Sequence, residues 1–397
     1  MAALVAARNG RQVFLLEKME QPGRKLRITG KGRCNLTNTA DIKGFLAHIG
    51  PDARFMRNSF SFFFNKELME FFESLGVPLV VERGDRVYPR SGKSLDIFLA
   101  LVQELERLPN VTIRKSSRVA SLIIEDGAVA GVLMADRTTL RAERVIVATG
   151  GMSYPLTGST GDGYRFASSA GHSITPQVPA LVRLVSDIAI PDELVGFVLK
   201  NVKLTLTREN SSKICEHFGE MMFSSDGIDG PIVLSASRTV SRLLHNGEKV
   251  IAHIDFKPAV ESSTLDHRLI DDLNGSGTRL FHDALRIWMP AELVPLALKS
   301  LHIEYYKRLN QINSTERKRL LAFLKDFQFP ITDTGGFEEA IITQGGINTK
   351  ELNPKTMESR LVRGLHFAGE VIDIDADTGG YNLQIAFSTG YVAGMAC

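Results

Sequence analysis

Cysteine is scarce in this chain of 397 residues, and the three that occur, Cys34, Cys215 and Cys397, lie far apart. No pair has the C-x-x-C spacing of a zinc or redox site, which argues against a zinc ribbon, a disulfide framework and a thioredoxin-like motif. The sequence also lacks the G-x-S-x-G and H-E-x-x-H patterns of serine hydrolases and zinc proteases. Because these catalytic motifs are missing, we expect a bound cofactor to carry the chemistry.

Long apolar runs are missing as well. No stretch approaches the roughly 20 apolar residues of a transmembrane helix, and Arg8, Asn9 and Arg11 interrupt the apolar start. These absences predict a cytoplasmic protein without a membrane span. Neither sign of charge is in excess, because 47 Lys and Arg balance 45 Asp and Glu to within +2. Such a total neither supports nor excludes nucleic acid binding, since a basic face can exist within a balanced chain.

Strand and helix signals alternate at both ends of the chain. Residues 12–16 and 145–151 predict buried strands, the second running into glycines, and residues 381–396 predict a final helix. Between these segments, residues 181–257 are mostly strand-like and residues 261–326 mostly helical. The predicted fold is therefore α/β, with a Rossmann-like domain built from both chain ends that carries inserted β-rich and helical domains.

Shorter patterns predict local structure. Residues 77–89 and 119–134 each hold two apolar runs around a Gly-containing turn, which predicts hairpins. Residues 94–108 predict an amphipathic helix that begins at a serine. Residues 21–39 show little apolar periodicity and predict a long ordered loop.

That predicted loop is rich in cations and glycine. Residues 23–35 contain five Arg or Lys side chains and three glycines. Glycine lets backbone N–H groups approach an anion, and Arg and Lys neutralise phosphate, so the segment predicts phosphate or flavin contact. A basic solvated loop and an RNA-contacting patch are the alternatives. Glu17, at the end of the preceding strand, is placed to bind a ribose, or else is a solvated strand-end side chain.

The last segment, residues 364–394, holds a strand that ends in Ala-Gly-Glu, an acidic stretch and a Gly-Gly pair before a helix. The free N–H groups of such a helix can face the partly negative edge of a flavin ring. A buried final helix explains the apolar face but not the acidic stretch. Asp373, Asp375 and Asp377 alternate as in a calcium loop, but the required glycine and glutamate are missing, so we predict no metal.

Five blocks together resemble one family, the BaiN/RdsA-like NAD(P)/FAD-dependent oxidoreductases. They are LLEK, PGRKLRITGKGRCNLTN, VIVATGGMSYPLTGSTGDGY, EMMFSSDGIDGPIVLSAS and the stretch from TQGG to TGGYNLQ, in the family's order. The resemblance covers the whole chain. It implies a FAD-binding domain over residues 1–188 and 346–397, a β-rich domain over 189–254 and 327–345, and a helical insert over 255–326.

The resemblance also implies a set of cofactor-binding residues. Glu17 would hold the adenosine ribose, and the backbone of Val119 would contact adenine beside Thr149 and Gly150. The other implied residues are Lys18, Arg24, Lys25, Gly30, Gly32, Arg33, Cys34 and Asn35, on the path from pyrophosphate to flavin, and Gly369, Glu370, Gly379, Gly380, Tyr381, Asn382 and Leu383, at the ribityl chain and flavin ring.

The implied reaction is a FAD-dependent reduction with NADH or NADPH as electron donor. The favoured substrate is uridine in large-subunit ribosomal RNA, giving dihydrouridine. The alternatives are a small-molecule flavoenzyme, either a steroid-ring reductase or an amine oxidase, and a non-catalytic scaffold. Cys34 is a candidate proton donor, and the alternative is that it is a packed loop residue. The patterns leave the oligomeric state open.

The start of the chain differs from this family. Residues 1–17 form a helix followed by a strand ending in an acid, which is the second half of a nucleotide-binding βαβ unit, and no G-x-G-x-x-G precedes it. We therefore expect Met1 to be an internal methionine of a longer reading frame, with about 15 to 25 upstream residues encoding an apolar strand and the Gly-rich turn. Without them, we expect the chain to fold poorly and bind FAD weakly.

Overall fold

The computed structural model describes residues 1–50, 52–275 and 279–397. Its α-helices are α1 (Ala2–Arg8), α2 (Arg24–Ile28), α3 (Ile42–Ala47), α4 (Met56–Phe62), α5 (Asn65–Ser74), α6 (Ser94–Glu106), α7 (Asp162–Ser169), α8 (Pro231–His245), α9 (Ser262–Gly275), α10 (Phe281–Trp288), α11 (Val294–Leu301), α12 (Ser314–Lys325) and α13 (Tyr381–Ala396).

Its strands are β1 (Val13–Leu16), β2 (Thr37–Asn38), β3 (Leu79–Glu82), β4 (Arg86–Pro89), β5 (Val111–Arg114), β6 (Val119–Glu125), β7 (Ala128–Met134), β8 (Thr139–Arg141), β9 (Val145–Val147), β10 (Val178–Ala180), β11 (Leu184–Val185), β12 (Val198–Arg208), β13 (Lys213–Ser224), β14 (Gly227–Asp229), β15 (Val250–Asp255), β16 (Phe327–Ile331), β17 (Asp333–Thr334), β18 (Ile342–Gln344) and β19 (Leu365–Phe367). The mixture confirms the predicted α/β class.

The chain forms two compact units. Unit 1 comprises Met1–Val178 and Phe337–Cys397, and unit 2 comprises Pro179–Gly336. Unit 1 thus joins the two chain ends, and its bounds differ by about ten residues from those expected from the sequence. Unit 2 holds both the strand-rich and the helical segments, so their division into two inserted domains stays a prediction.

Unit 1 contains two pairs of parallel strands. β1 pairs with β5, with Val13 opposite Val111, and β9 pairs with β19, with Val145 opposite Leu365. Antiparallel strands form the sheets β6-β7-β8 and β2-β4-β3. Helix α13 packs closely against α1 at Gly394. A Cβ atom on this residue would lie only 2.5 Å from the Ala2 carbonyl oxygen.

Both predicted hairpins of unit 1 are confirmed, as β3-β4 and β6-β7, and so is helix α6. The loop predicted over residues 21–39 is wrong in part. It contains α2, followed by a 3-10 turn over Thr29–Gly32, and then β2. Helix α2 is only five residues long, too short for an apolar period to show, and its Leu26 packs against the core beside Cys34 and Leu36.

Unit 2 is built on a seven-stranded antiparallel sheet of order β16-β15-β12-β13-β14-β11-β17. Helix α8 contributes Val233, Ala236 and Val240 to the core of this unit, and helices α9–α12 extend the same core. Within the three described ranges of the chain, none of the helices has the length and apolar character that crossing a membrane requires.

Candidate cofactor site

Lys25 and Glu370 form the centre of a polar cluster in unit 1. Lys25 Nζ lies 2.5 Å from Glu370 Oε2 and 2.5 Å from Ser153 Oγ. The second carboxylate oxygen, Glu370 Oε1, accepts hydrogen bonds from Ser153 Oγ at 3.0 Å and from the Thr343 N–H at 2.7 Å. The side chains of Lys25 and Glu370 are 24% and 20% exposed. Water therefore screens this ion pair less than a surface pair.

The fold explains why these side chains meet. Ser153 and Glu370 follow β9 and β19, whose carboxyl ends lie side by side because the strands are parallel neighbours. This edge is where α/β sheets bind ligands. Gly151, which lies between β9 and Ser153 in the chain, has to be a glycine. A Cβ atom at this position would lie 2.4 Å from Thr343 Oγ1. Gly150 and Glu370 are thus brought together, with 4.0 Å between Glu370 Oε2 and the Cβ position of Gly150.

The entry to helix α13 forms a second part of the site. Gly380 has a φ of 96°, and a Cβ atom there would be 2.3 Å from the Thr37 carbonyl oxygen, so only glycine fits. Asn35, with its amide oriented to satisfy both neighbours, accepts from the Gly380 N–H and donates to the Thr37 carbonyl. Asn382 fixes the preceding loop through both the N–H and the carbonyl of Ala376. Gly379, Gly380 and Asn35 therefore lie together, and their contact with a cofactor stays a prediction.

The next side chains of α13 serve the core. The Tyr381 ring stacks on His48 with 4.4 Å between centroids and meets Phe45 edge-on, and Leu383 packs against a neighbouring apolar cluster. Tyr381, Asn382 and Leu383 form the first turn of a 16-residue helix whose N-terminus has no side-chain cap. Tyr381, Asn382 and Leu383 can therefore meet a ligand through the backbone.

Glu17 and Lys18 lie at the end of β1. Glu17 Oε1 accepts from the Met19 N–H at 2.8 Å, and Lys18 Nζ lies 2.8 Å from Asp162 Oδ2 and 2.5 Å from Thr160 Oγ1. Burial opposes ionisation of Asp162, but the hydrogen bond and charge of Lys18 outweigh it and lower the pKa of this carboxyl. Lys18 is thus paired with Asp162, which also lies near Arg118 and Arg165, and the contact of Lys18 with a cofactor stays a prediction.

The cations after Gly23 divide into two kinds. Arg33 is paired with Glu82 at 2.5 Å and lies over the Tyr88 ring at 4.3 Å. Arg24 and Lys31 are exposed, and in the part of the chain that the structure describes neither has an ion-pair partner. Two open cations beside the turn that contains Gly30 and Gly32 suit a pyrophosphate.

Cys34 is fully buried among Leu36, Val87 and other apolar side chains. Burial raises the pKa of its thiol to about 12, although a hydrogen bond with Thr29 opposes this shift. These surroundings favour a packed residue over a proton donor, and the role as an acid stays a prediction.

The remaining predicted positions lie at other strand ends. Val119 begins β6 and is half-buried. Thr149 follows β9 and is exposed, and its Oγ1 lies 2.2 Å from the position that a Cβ atom on Gly163 would take, close to the start of α7. Contacts of Val119 and Thr149 with a cofactor stay predictions.

Three polar residues of the site were not predicted. Ser153 and Asp162 lie in TGGMSYP and GSTGDGY, within the blocks that resemble the family, and their position in these blocks is the signal that marks them. Thr343 carries no comparable signal, because its role depends on the position of Glu370. The described residues contain no group of three or more His, Cys, Asp or Glu side chains placed to hold a metal ion.

These features fit a flavin dinucleotide. Gly151 and Gly380 let the backbone approach closely where a Cβ would collide. Arg24 and Lys31 supply uncompensated positive charge, and α13 supplies N–H groups at an uncapped N-terminus. FAD would be held by residues from both chain ends.

Known proteins are similar to this chain over nearly its whole length. The family model described as "HI0933-like protein Rossmann domain" matches residues 1–396. A 3-dehydro-bile acid delta(4,6)-reductase from Clostridium scindens is 36% identical over 100% of this chain and 95% of its own length. A ribosomal RNA dihydrouridine synthase from Escherichia coli is 29% identical over 98% of this chain and 92% of its own. Among solved structures, a quinol-fumarate reductase shares the fold, with 16% identity, a TM-score of 0.50, and coverage of 99% of this chain and 68% of that one.

Proposed function

The chain belongs to the HI0933-like Rossmann-domain family and is a FAD-dependent oxidoreductase, and we propose that it reduces a ring C=C bond conjugated to a carbonyl group. The observation that carries this proposal is the reaction common to the two relatives. Formation of dihydrouridine saturates the C=C bond of uracil, and a delta(4,6)-reductase acts on C=C bonds of a steroid ring. The substrates differ, but the bond that is reduced is of one kind.

The proposed substrate is uridine in large-subunit ribosomal RNA, with NADH or NADPH as the electron donor. The relative from Escherichia coli supports it. A steroid enone is the second candidate, favoured by the higher identity, 36% against 29%, to the bile acid reductase.

FAD, when bound, supplies hydride transfer to and from carbon. In the proposal, Arg24 and Lys31 hold the cofactor phosphates and the N-terminus of α13 faces the flavin. The second carbon of the reduced bond needs a proton. Lys25 Nζ, bonded to Ser153 Oγ and Glu370, forms a chain of exchangeable protons at the edge of the parallel strands, and we assign the resupply of that proton to it.

The test compares ribosomal RNA from a strain lacking the gene with RNA from its parent. We expect one dihydrouridine to disappear from the large subunit and to return with the wild-type gene but not with a Lys25→Met variant. The Arg141→Gln variant, which alters an exposed ion pair of unit 1, is the matched control and should restore the modification.

The second candidate is tested with the purified yellow protein, NADH or NADPH, and a steroid enone. Unchanged dihydrouridine together with steroid turnover would assign the steroid reaction instead. Unchanged dihydrouridine without steroid turnover would contradict the proposed reduction for both substrates.

A further inference from the structure

Unit 2 contains an apolar groove that the proposed reaction does not use. It has a volume of about 230 Å³. Its lining comes from the start of β12, the segment after β15 and the end of α10, and comprises Phe197, Val198, Leu199, Lys200, Val202, Phe256, Lys257, Trp288, Met289, Pro290 and Leu293. All of these residues belong to unit 2.

Three aromatic side chains line the groove, and a hydrogen bond holds one of them, Trp288, in position. Trp288 is 5% exposed, and its indole Nε1 donates to Asp272 Oδ2 at 2.8 Å. Because its one polar group is satisfied there, the ring adds only apolar surface to the groove. Phe197 and Phe256 are half-buried, and Leu293 is fully buried. Such walls suit a flat apolar ligand.

Two lysines add positive charge to this lining. Within the described ranges, Lys200 and Lys257 have no ion-pair partner. The carboxylate nearest in sequence, Asp255, is already bound, since its Oδ2 lies 2.7 Å from Lys325 Nζ and its Oδ1 accepts the Lys257 N–H. The groove therefore joins an apolar wall to cations that lack a counter-charge.

Other carboxylates near the groove do not fill this role. Asp192 and Glu193 are exposed and Glu292 is half-buried, all on short turns close by in the chain, but none of them is part of the lining. Water screens the two exposed carboxylates, Asp192 and Glu193, so that they contribute little to a charge held at the groove.

Size limits the ligand. An apolar cavity of about 150 Å³ takes benzene, and this groove is about one and a half times as large. We propose that the groove binds an amphiphilic anion, a flat body of about two rings whose carboxylate or sulfonate lies at Lys200 and Lys257. The proposal does not depend on the substrate of the flavin reaction, because no groove residue belongs to the cofactor site.

The groove contains its own spectroscopic reporter, because Trp288 is the only tryptophan of the chain. The FAD-loaded, full-length protein is titrated with anilinonaphthalene sulfonate while Trp288 is excited. We expect saturable one-to-one binding with energy transfer from the tryptophan to the probe. Lys200→Gln and Lys257→Gln should each weaken binding about threefold to fivefold, the effect of losing one ion pair of up to about 1 kcal/mol.

Lys318→Gln is the matched control, since Lys318 is an exposed cation of unit 2 outside the groove, and its affinity should equal that of the wild type. Calorimetry with naphthoate and its uncharged analogue naphthamide separates charge from apolar contact. The wild type should prefer naphthoate by about tenfold. The protein with both lysines replaced should bind the two about equally.

Val198→Glu provides a variant that should fold, because Val198 is 39% exposed. This variant places a negative charge in the groove and should abolish binding of the two anionic probes, anilinonaphthalene sulfonate and naphthoate. Equal affinity for naphthoate and naphthamide in the wild type, or lysine variants indistinguishable from Lys318→Gln, would overturn the proposal. So would failure to bind any probe in a protein that sediments as a dimer and becomes monomeric with Val198→Glu, because a second copy would then cover the groove.

Discussion

Replacing Glu370 with Gln is the most informative change in the cofactor site. The substitution keeps the shape of the side chain and an oxygen that can accept from the Thr343 N–H. It removes the charge that lies 2.5 Å from Lys25 Nζ. The lysine is left without its carboxylate partner at a position that is only 24% exposed.

The expected cost follows from that exposure. Exposed ion pairs contribute about 0.2 to 1 kcal/mol, and breaking a buried pair costs about 3 to 5 kcal/mol. A pair that is 24% and 20% exposed lies between these limits. We therefore expect the free energy of unfolding of unit 1 to fall by about 2 kcal/mol. For a body of this size, that corresponds to a decrease in Tm of roughly 4 to 8 °C.

The assay is calorimetry of the protein without FAD, so that altered cofactor affinity does not contribute. Arg141→Gln is the control, because the Arg141–Glu125 pair has a similar length, 2.6 Å, but is 62% and 52% exposed. Its Tm should change by no more than about 4 °C, and by less than that of Glu370→Gln. Lys25→Met and the double variant complete a mutant cycle, in which the double variant should lose less than the two single variants together.

Two results would refute this reasoning. If Glu370→Gln destabilised the protein no more than Arg141→Gln, the Lys25–Glu370 pair would behave as a surface pair. If the effects of the single variants simply added, the two side chains would not be coupled, and the loss would come from other contacts of Glu370.

Three further predictions concern single residues. Gly380→Ala should lower the free energy of unfolding by more than about 2 kcal/mol through its collision with Thr37, whereas Gly10→Ala, with a similar positive φ but nothing within 4 Å, should cost only about 1 kcal/mol in urea unfolding. Burial lowers the pKa of His172 below its ordinary 6.5, so the unfolded chain binds more protons below that pH. The free energy of unfolding should therefore fall as the pH falls below 6.5. Over the same pH range, the urea midpoint of the His172→Gln variant should fall less than that of the wild type. Cys34→Ala should keep the turnover rate within about threefold of the wild type, because we expect Cys34 to be a packed residue. Loss of a general acid would instead lower the rate about a hundredfold or more, and such a decrease in a rate assay would support the acid role.

Local features were predictable from the sequence because their causes are local. The hairpin β6-β7 turns at Asp126 and Gly127, which both have positive φ, and Asp-Gly is the pair that such a turn favours. The strands before Thr149 and Glu370 were predictable in the same way, since each is a short apolar run that ends at glycines. The resemblance to a family added which of these turns face a cofactor.

The centre of the site was not predictable in this way. Lys25 and Glu370 are 345 residues apart, and no local pattern says that their side chains meet. The contact depends on the parallel pairing of β9 with β19 and on a helix, α2, that is too short to show a period. Individual contacts of this kind require the tertiary structure, although the residue types on either side had already indicated a charged ligand.

The two proposals can be tested independently because their residues are organised differently along the chain. The cofactor site exists only when remote segments of unit 1 are folded together, so FAD binding and folding of that unit are linked, and ligand that binds only the folded form stabilises it. The groove of unit 2 comes from residues 197–293 and includes the only tryptophan. Flavin absorbance therefore reports on residues such as Lys25 and Gly380, and energy transfer from Trp288 reports on Lys200 and Lys257. A variant that changes one signal and leaves the other unchanged identifies which site it has altered.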